Sequence, residues 1–144
     1  MDAFRPPPAS HQGVLRDLGL GASSAALIQA VKAGLPVDTF SELARRLRVS
    51  ETALAGIVGL SGSTLARRKR AGTLTSAESE HVLRVAALLD RGAEVFGSEA
   101  DAAEWMSAPN VALGNVTPLR LADTELGARE VEELLGRLEH GVYS

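Results

Sequence analysis

The sequence contains no cysteine. That excludes a disulfide framework, thiolate chemistry and zinc sites built on Cys. Aromatic residues are scarce, with three Phe, one Trp and one Tyr in 144 residues. The core must therefore be built mainly from Leu, Val and Ala, which suits helices because Ala and Leu lead the helix propensities. No apolar run approaches the roughly 20 residues that cross a bilayer. The N-terminus lacks the basic-then-apolar pattern of a signal peptide. The expectation is a cytoplasmic protein with no membrane partner. No segment alternates apolar and polar residues long enough to predict a strand. Catalytic patterns are missing as well. His11, His81 and His140 lie far apart, and there is no H-E-x-x-H, no G-x-S-x-G, no Walker loop and no G-x-G-x-x-G. No acidic pair stands out as general acid and base. The reading is a non-enzyme with no catalytic residue, no metal and no cofactor.

What the chain does have is an uneven charge distribution beneath a net charge of -3. Residues 36–75 carry seven basic side chains against Asp38, Glu42 and Glu51. Residues 76–144 carry five arginines against thirteen acids. The first 35 residues are close to neutral at +1. A basic segment joined to an acidic one points to two partners of different charge.

Arg5-Pro6-Pro7-Pro8 cannot be helical, so an extended or flexible arm is expected at the start. A first helix fits 24–33, with Leu27, Ala30 and Val31 on one side and Gly34 and Pro36 ending it. Thr39 and Glu42 have the T-x-x-E spacing of a capping box, predicting a helix through Arg48. Ser50 caps a short helix to about Val58. Gly59-Leu60-Ser61 interrupts it, and a further helix fits 63–71 before Gly72. Thr75 and Glu78 form a second capping box, opening a helix to about Asp90. Ser98 and Asp101 start a helix carrying Trp105 and Met106, which Pro109-Asn110 stops. Gly114, Asn115 and Pro118 imply a loop. Thr124 caps a last helix, whose Val131, Leu134, Leu135 and Leu138 form an amphipathic stripe. Gly141 sits where a left-handed stop is expected.

Between Ala53 and Arg70, two short helices flank a glycine-containing turn, the arrangement of a helix-turn-helix. Leu54, Ile57, Leu60 and Leu65 would pack it. Ser61, Ser63, Thr64, Arg67, Arg68, Lys69 and Arg70 are then the candidate DNA-binding residues. Hydroxyls at a helix start bond phosphates or base edges. Arginine reads guanine with two hydrogen bonds, and Lys69 and Arg70 suit phosphates. A solvated basic helix packed on its neighbours is the bland alternative. Residues 43–54 also resemble a helix-turn-helix; the later register is preferred because four consecutive basic residues follow it.

From about residue 40 onward the chain resembles the Xre-type antitoxins paired with RES-domain toxins, which share the Xre/MbcA/ParS toxin-binding domain. The resemblance rests on the order and spacing of Arg67-Arg68-Lys69, Glu78-Ser79-Glu80, Val95-Phe96-Gly97, Trp105-Met106, Pro109-Asn110, Leu113-Gly114, Pro118-Leu119 and Gly141-Val142-Tyr143. The chain departs from it at His81, where members often have Arg, and at Asn115, where they often have a second Gly. The resemblance implies an antitoxin that blocks a RES toxin acting on NAD, by consuming it or by ADP-ribosylation, and that represses its own operon.

The expected architecture is all-α. An N-terminal arm and helix (1–35) would precede a helix-turn-helix region (36–75) and a small helical toxin-binding domain (76–144). The expected partners are a RES-domain toxin, operator DNA and a second copy of the chain, since operators are usually two-fold symmetric. Leu27, Ala30 and Val31 are the expected dimer face. Trp105, Pro109, Asn110, Glu132, Glu139, Val142, Tyr143 and Ser144 are the candidate toxin contacts, with the last three entering the toxin's active site. Trp105 and Phe96 also fit a purely structural core role. The competing reading is a helix-turn-helix transcription regulator without a toxin partner.

Overall fold

An Ala- and Leu-rich composition and apolar periodicity favour helix almost throughout. The computed structural model, described over residues 13–21 and 23–141, has only α-helices, short turns and two isolated bridges. The proline-rich arm lies outside the described residues. Nine helices run in order among the described residues: α1 Gly13–Asp17, α2 Ser24–Ala33, α3 Val37–Leu47, α4 Glu51–Val58, α5 Gly62–Ala71, α6 Ser76–Phe96, α7 Glu99–Met106, α8 Pro118–Leu121 and α9 Glu125–Glu139. A 3-10 turn, Val111–Leu113, lies between α7 and α8.

The longest element, α6, is the axis of the fold. Its Val82, Val85, Ala86, Leu89 and Ala93 are all buried, at spacings that cover more than one face. Helices α1, α2, α3, α4, α7 and α9 all pack against it. The buried side chains form one connected cluster from Val14 through Phe40, Leu54 and Met106 to Leu135. Ridge-to-ridge contact is tightest where α9 meets α8. A Cβ on Gly127 would stand 1.9 Å from the carbonyl oxygen of Leu121, so only glycine lets these backbones approach.

Most helix starts agree with the cap residues read from sequence. Ser50, Ser98 and Thr124 each accept an N–H from the residue three ahead. Thr75 and Glu78 make both halves of the capping box. The Thr39–Glu42 box is a correction. Helix α3 already begins at Val37, so Thr39 lies inside it and caps nothing. Pro36 supplies the extended entry instead, and the Val37 N–H bonds the Gly72 carbonyl. Glu42, released from capping, pairs with Arg45. The helix after Thr75 also runs past Asp90 to Phe96, and Gly92 leaves room there for the Ala102 side chain of α7.

Two further differences concern the N-terminal part. Helix α1 was not anticipated; it is pinned where the Val14 N–H donates to the buried carboxylate of Asp90 at 3.1 Å. The apolar face of α2 expected to meet a second copy is used within the chain. Val31 is buried and Leu27 and Ala30 pack on the core, leaving Ile28 53% exposed.

Candidate functional site

Helices α4 and α5, joined by the turn 59–61, are the pair on which the candidate helix-turn-helix residues fall. The Ser50 hydroxyl accepts the Ala53 N–H at 3.0 Å and starts α4. Gly59 ends it in the left-handed region, φ 81°, which a side chain rarely adopts. Leu60 then plunges into the core at 4% exposure. Ser61 follows as the cap of α5, its Oγ accepting the Thr64 N–H at 3.2 Å. Only Leu65 of α5 is buried. A ten-residue helix held by one apolar anchor presents the rest of its surface outward.

The structure divides the seven candidate DNA-binding residues into two groups. Five make bonds within the protein. Ser61 is the cap and also donates to Thr64 Oγ1 at 2.8 Å. Arg68 grips Glu78 with two nitrogens, at 2.8 and 2.9 Å. Lys69 pairs with Glu51 of α4. Ser63, whose hydroxyl lies 3.3 Å from that of Ser61, shares the exposed face of α5 with the remaining two, Arg67 and Arg70. Arg67 and Arg70 have no ion-pair partner among the described residues. Three side chains at i, i+4 and i+7 share one helical stripe.

The two counter-charges, Glu51 and Glu78, were not singled out as such by the sequence. Glu78 was legible only as a capping residue, and the Thr75 N–H does donate to it at 2.9 Å. Its carboxyl is held below the usual range by the Arg68 guanidinium, with burial opposing. Lys69 lowers Glu51 in the same way. Both acids thus fix the orientation of α5 while leaving its outer stripe positive.

The acidic half places its candidates differently. Trp105 is partly buried, its ring 5.4 Å from that of Phe96 and tilted by 47°, so it braces α6 against α7. Pro109 is exposed. Asn110 builds the loop: its side chain accepts the Ala112 N–H at 2.9 Å and its backbone bridges to Val116. Asn115 stands at φ 65°, a left-handed position that explains why glycine suits it. Glu132 is exposed, whereas Glu139 receives Arg91 of α6 at 2.6 Å. Gly141 has the expected left-handed φ of 71°. Val142, Tyr143 and Ser144 lie outside the described residues. Sequence reasoning missed Val111, 84% exposed at the tip of the 3-10 turn, and Leu126, 69% exposed on α9. No local pattern distinguishes an outward apolar residue in a short turn from an inward one. Among the described residues no group of three or more His, Asp or Glu could hold a metal ion, and no helix is long and apolar enough to cross a membrane.

Two family models match the chain side by side. Residues 26–87 match the antitoxin Xre-like helix-turn-helix domain, and residues 91–141 match the antitoxin Xre/MbcA/ParS C-terminal toxin-binding domain. An Antitoxin Xre of Yersinia enterocolitica is 36% identical over 148 aligned positions, covering 100% of both chains. An Antitoxin Xre of Photorhabdus laumondii is 33% identical over 90% of this chain and 89% of its own. A Sphingobium protein named Prs ADP-ribosylating antitoxin is 26% identical over 96% of this chain and 90% of its own. The exposed basic stripe of α5 falls in the first matched module and α9 in the second, and the chain belongs to the Xre family of antitoxins, with a helix-turn-helix followed by a toxin-binding domain.

Proposed function

We propose that this antitoxin neutralises a RES-domain toxin acting on NAD and represses its own operon as a homodimer in the cytoplasm. The observation that carries the reading is the pairing on one chain of an exposed Ser63–Arg67–Arg70 stripe with a domain of the toxin-binding family. The first is suited to phosphates and base edges. The second supplies an acidic partner surface that steers a basic, pyrophosphate-binding toxin. The name of the Sphingobium relative, which links an antitoxin to ADP-ribosylation, supports NAD chemistry in the toxin. The protein itself acts by binding and performs no reaction.

In this reading α9 delivers the tail. Helix α9 is held to α6 by the Arg91–Glu139 pair just before Gly141. Val142, Tyr143 and Ser144 fill the toxin's active site, with the Tyr143 ring occupying the place of the substrate. Trp105, Pro109, Asn110 and Glu132 belong to the same toxin-facing half. Co-expression with a RES-domain toxin tests this. The full chain restores growth, while deletion of residues 142–144, which keeps the buried Gly141, abolishes protection without lowering the melting temperature. Equal protection by the truncated chain rejects the blocking tail. If the full chain binds operator DNA but neither binds nor protects against the toxin, the protein is a transcription regulator without a toxin partner.

A further inference from the structure

Within the acidic half, residues 105–119 carry no charged side chain. The stretch holds the loop between α7 and α8, whose exposed residues include Ala108, Pro109, Val111 and Ala112. Val111, at 84%, is the most exposed large apolar side chain among the described residues. Single exposed apolar residues are ordinary, but a contiguous run of them without a charge marks a contact surface. Leu126 shows the contrast. It is 69% exposed, yet Glu125, Arg129 and Glu130 stand one, three and four residues away on the same helix.

The loop is also built to hold still. The Asn110 N–H donates to the Val116 carbonyl at 3.1 Å, and the Asn110 carbonyl accepts the Leu113 and Asn115 N–H groups at 3.0 and 2.8 Å. Its Oδ1 accepts the Ala112 N–H at 2.9 Å. The Gly114 N–H closes on the Val111 carbonyl at 3.1 Å. Leu113 packs against the core and anchors the turn. Ordering a loop costs conformational entropy, and here the ordered loop holds an apolar side chain in water. A preorganised knob of this kind loses little freedom when a partner covers it.

Resting on the toxin reading above, we infer that Val111 is the apolar anchor of the toxin interface, seated by its loop in an uncharged hollow of the toxin with a basic rim. Three observations select this occupant. The loop lies within residues 91–141, which match the toxin-binding domain. The charges that flank the uncharged stretch are Asp101 and Glu104 before it and Arg120, Asp123 and Glu125 after it, all exposed, four acids against one base. A second copy placed face to face would set those acids against themselves, and nucleic acid would meet the same repulsion. A charge-free centre within a charged rim is the anatomy of a protein–protein interface.

The test is surface plasmon resonance of the purified RES-domain toxin over the immobilised full chain and three variants. Val111→Ser is expected to speed dissociation at least about tenfold, because an anchor acts through the off-rate. Val111→Lys, which puts a charge into the hollow and opposes its rim, is expected to weaken binding further. Glu104→Lys is expected to slow association and leave dissociation near wild type, the mark of a rim charge. Melting temperature is the control, and no change is expected for any of the three exposed substitutions. Dissociation within twofold of wild type for Val111→Ser overturns the inference, as does wild-type affinity for Val111→Lys. Unchanged association for Glu104→Lys overturns the basic rim. A marked fall in melting temperature for Val111→Ser shows a folding role and overturns the anchor. Conversion of a dimer to a monomer in Val111→Lys, seen by light scattering, assigns the loop to a second copy instead. If the unaltered chain fails to bind the toxin, the toxin reading itself falls and this inference with it, an outcome distinct from failure of the variants alone.

Discussion

Helices α5 and α9 have solved the problem of staying attached in different ways. Helix α5 buries Leu65 and is otherwise fastened by Arg68–Glu78 and Lys69–Glu51. Helix α9 buries Gly127, Ala128, Val131, Leu134 and Leu135. A buried Leu or Val contributes about 1.5–3 kcal/mol, whereas partly exposed ion pairs contribute about 0–1 kcal/mol. The basic helix is thus lightly moored and keeps its outer face for a partner, and the acidic helix gives up its inner face to be held firmly. The difference teaches that the charged residues of α5 cannot all be read as ligand contacts, because some of them are the mooring.

The largest expected effect breaks the comparison at the tight end. Gly127→Ala forces a methyl into the Leu121 carbonyl and should destabilise by about 3 kcal/mol in urea unfolding. The same change at Gly56 of α4, where nothing stands within 4 Å, should instead stabilise by about 1 kcal/mol. An unchanged midpoint for Gly127→Ala would show that α8 and α9 are not in close contact.

The next effect sharpens it at the loose end. Arg67→Ala and Arg70→Ala should each weaken operator binding about tenfold, a loss of about 1.4 kcal/mol, and reduce the slope of log affinity against log salt by about one. Neither should shift the melting temperature. Arg68→Ala should lower it, because Glu78 loses its partner. A gel-shift salt series beside thermal melting separates the two classes, and equal behaviour of all three arginines would erase the distinction.

The smallest effect concerns acid. The folded Glu78 carboxyl is lowered from its ordinary value near 4.5. A lowered folded value contributes stability above the unfolded value and loses it as pH falls through the folded one. Mooring of α5 should therefore weaken below about pH 4.5, and Glu78→Gln should flatten that part of the stability profile while leaving α9 untouched. Hydrogen exchange resolved by helix checks this, and parallel loss of protection in α5 and α9 would refute it.

Legibility followed the range of the interaction. Ser50, Thr75, Ser98 and Thr124 were readable as caps because donor and acceptor lie three residues apart. The same signature misled at Thr39, where Pro36 and the distant Gly72 carbonyl had already set the helix start. Ser61 was placed among the DNA contacts, but its hydroxyl is spent on the cap of α5. The all-helical class and the bounds of α4 and α5 were legible for the same local reasons. The Lys69–Glu51 and Arg68–Glu78 pairs were not, since joining residues 18 or 10 apart needs the fold first. Of the seven basic-helix candidates, local pattern alone gave no way to tell Arg67 from Arg68.

The 21 residues of α6 rise about 31 Å at 1.5 Å per residue, without a break between the two matched modules. A continuous helix offers no hinge. Whatever grips one end of α6 accordingly fixes the aim of the other. In the homodimer proposed above, spacing between half-sites on an operator would then be dictated by how the two copies are clamped together, with no break in α6 to absorb a mismatch.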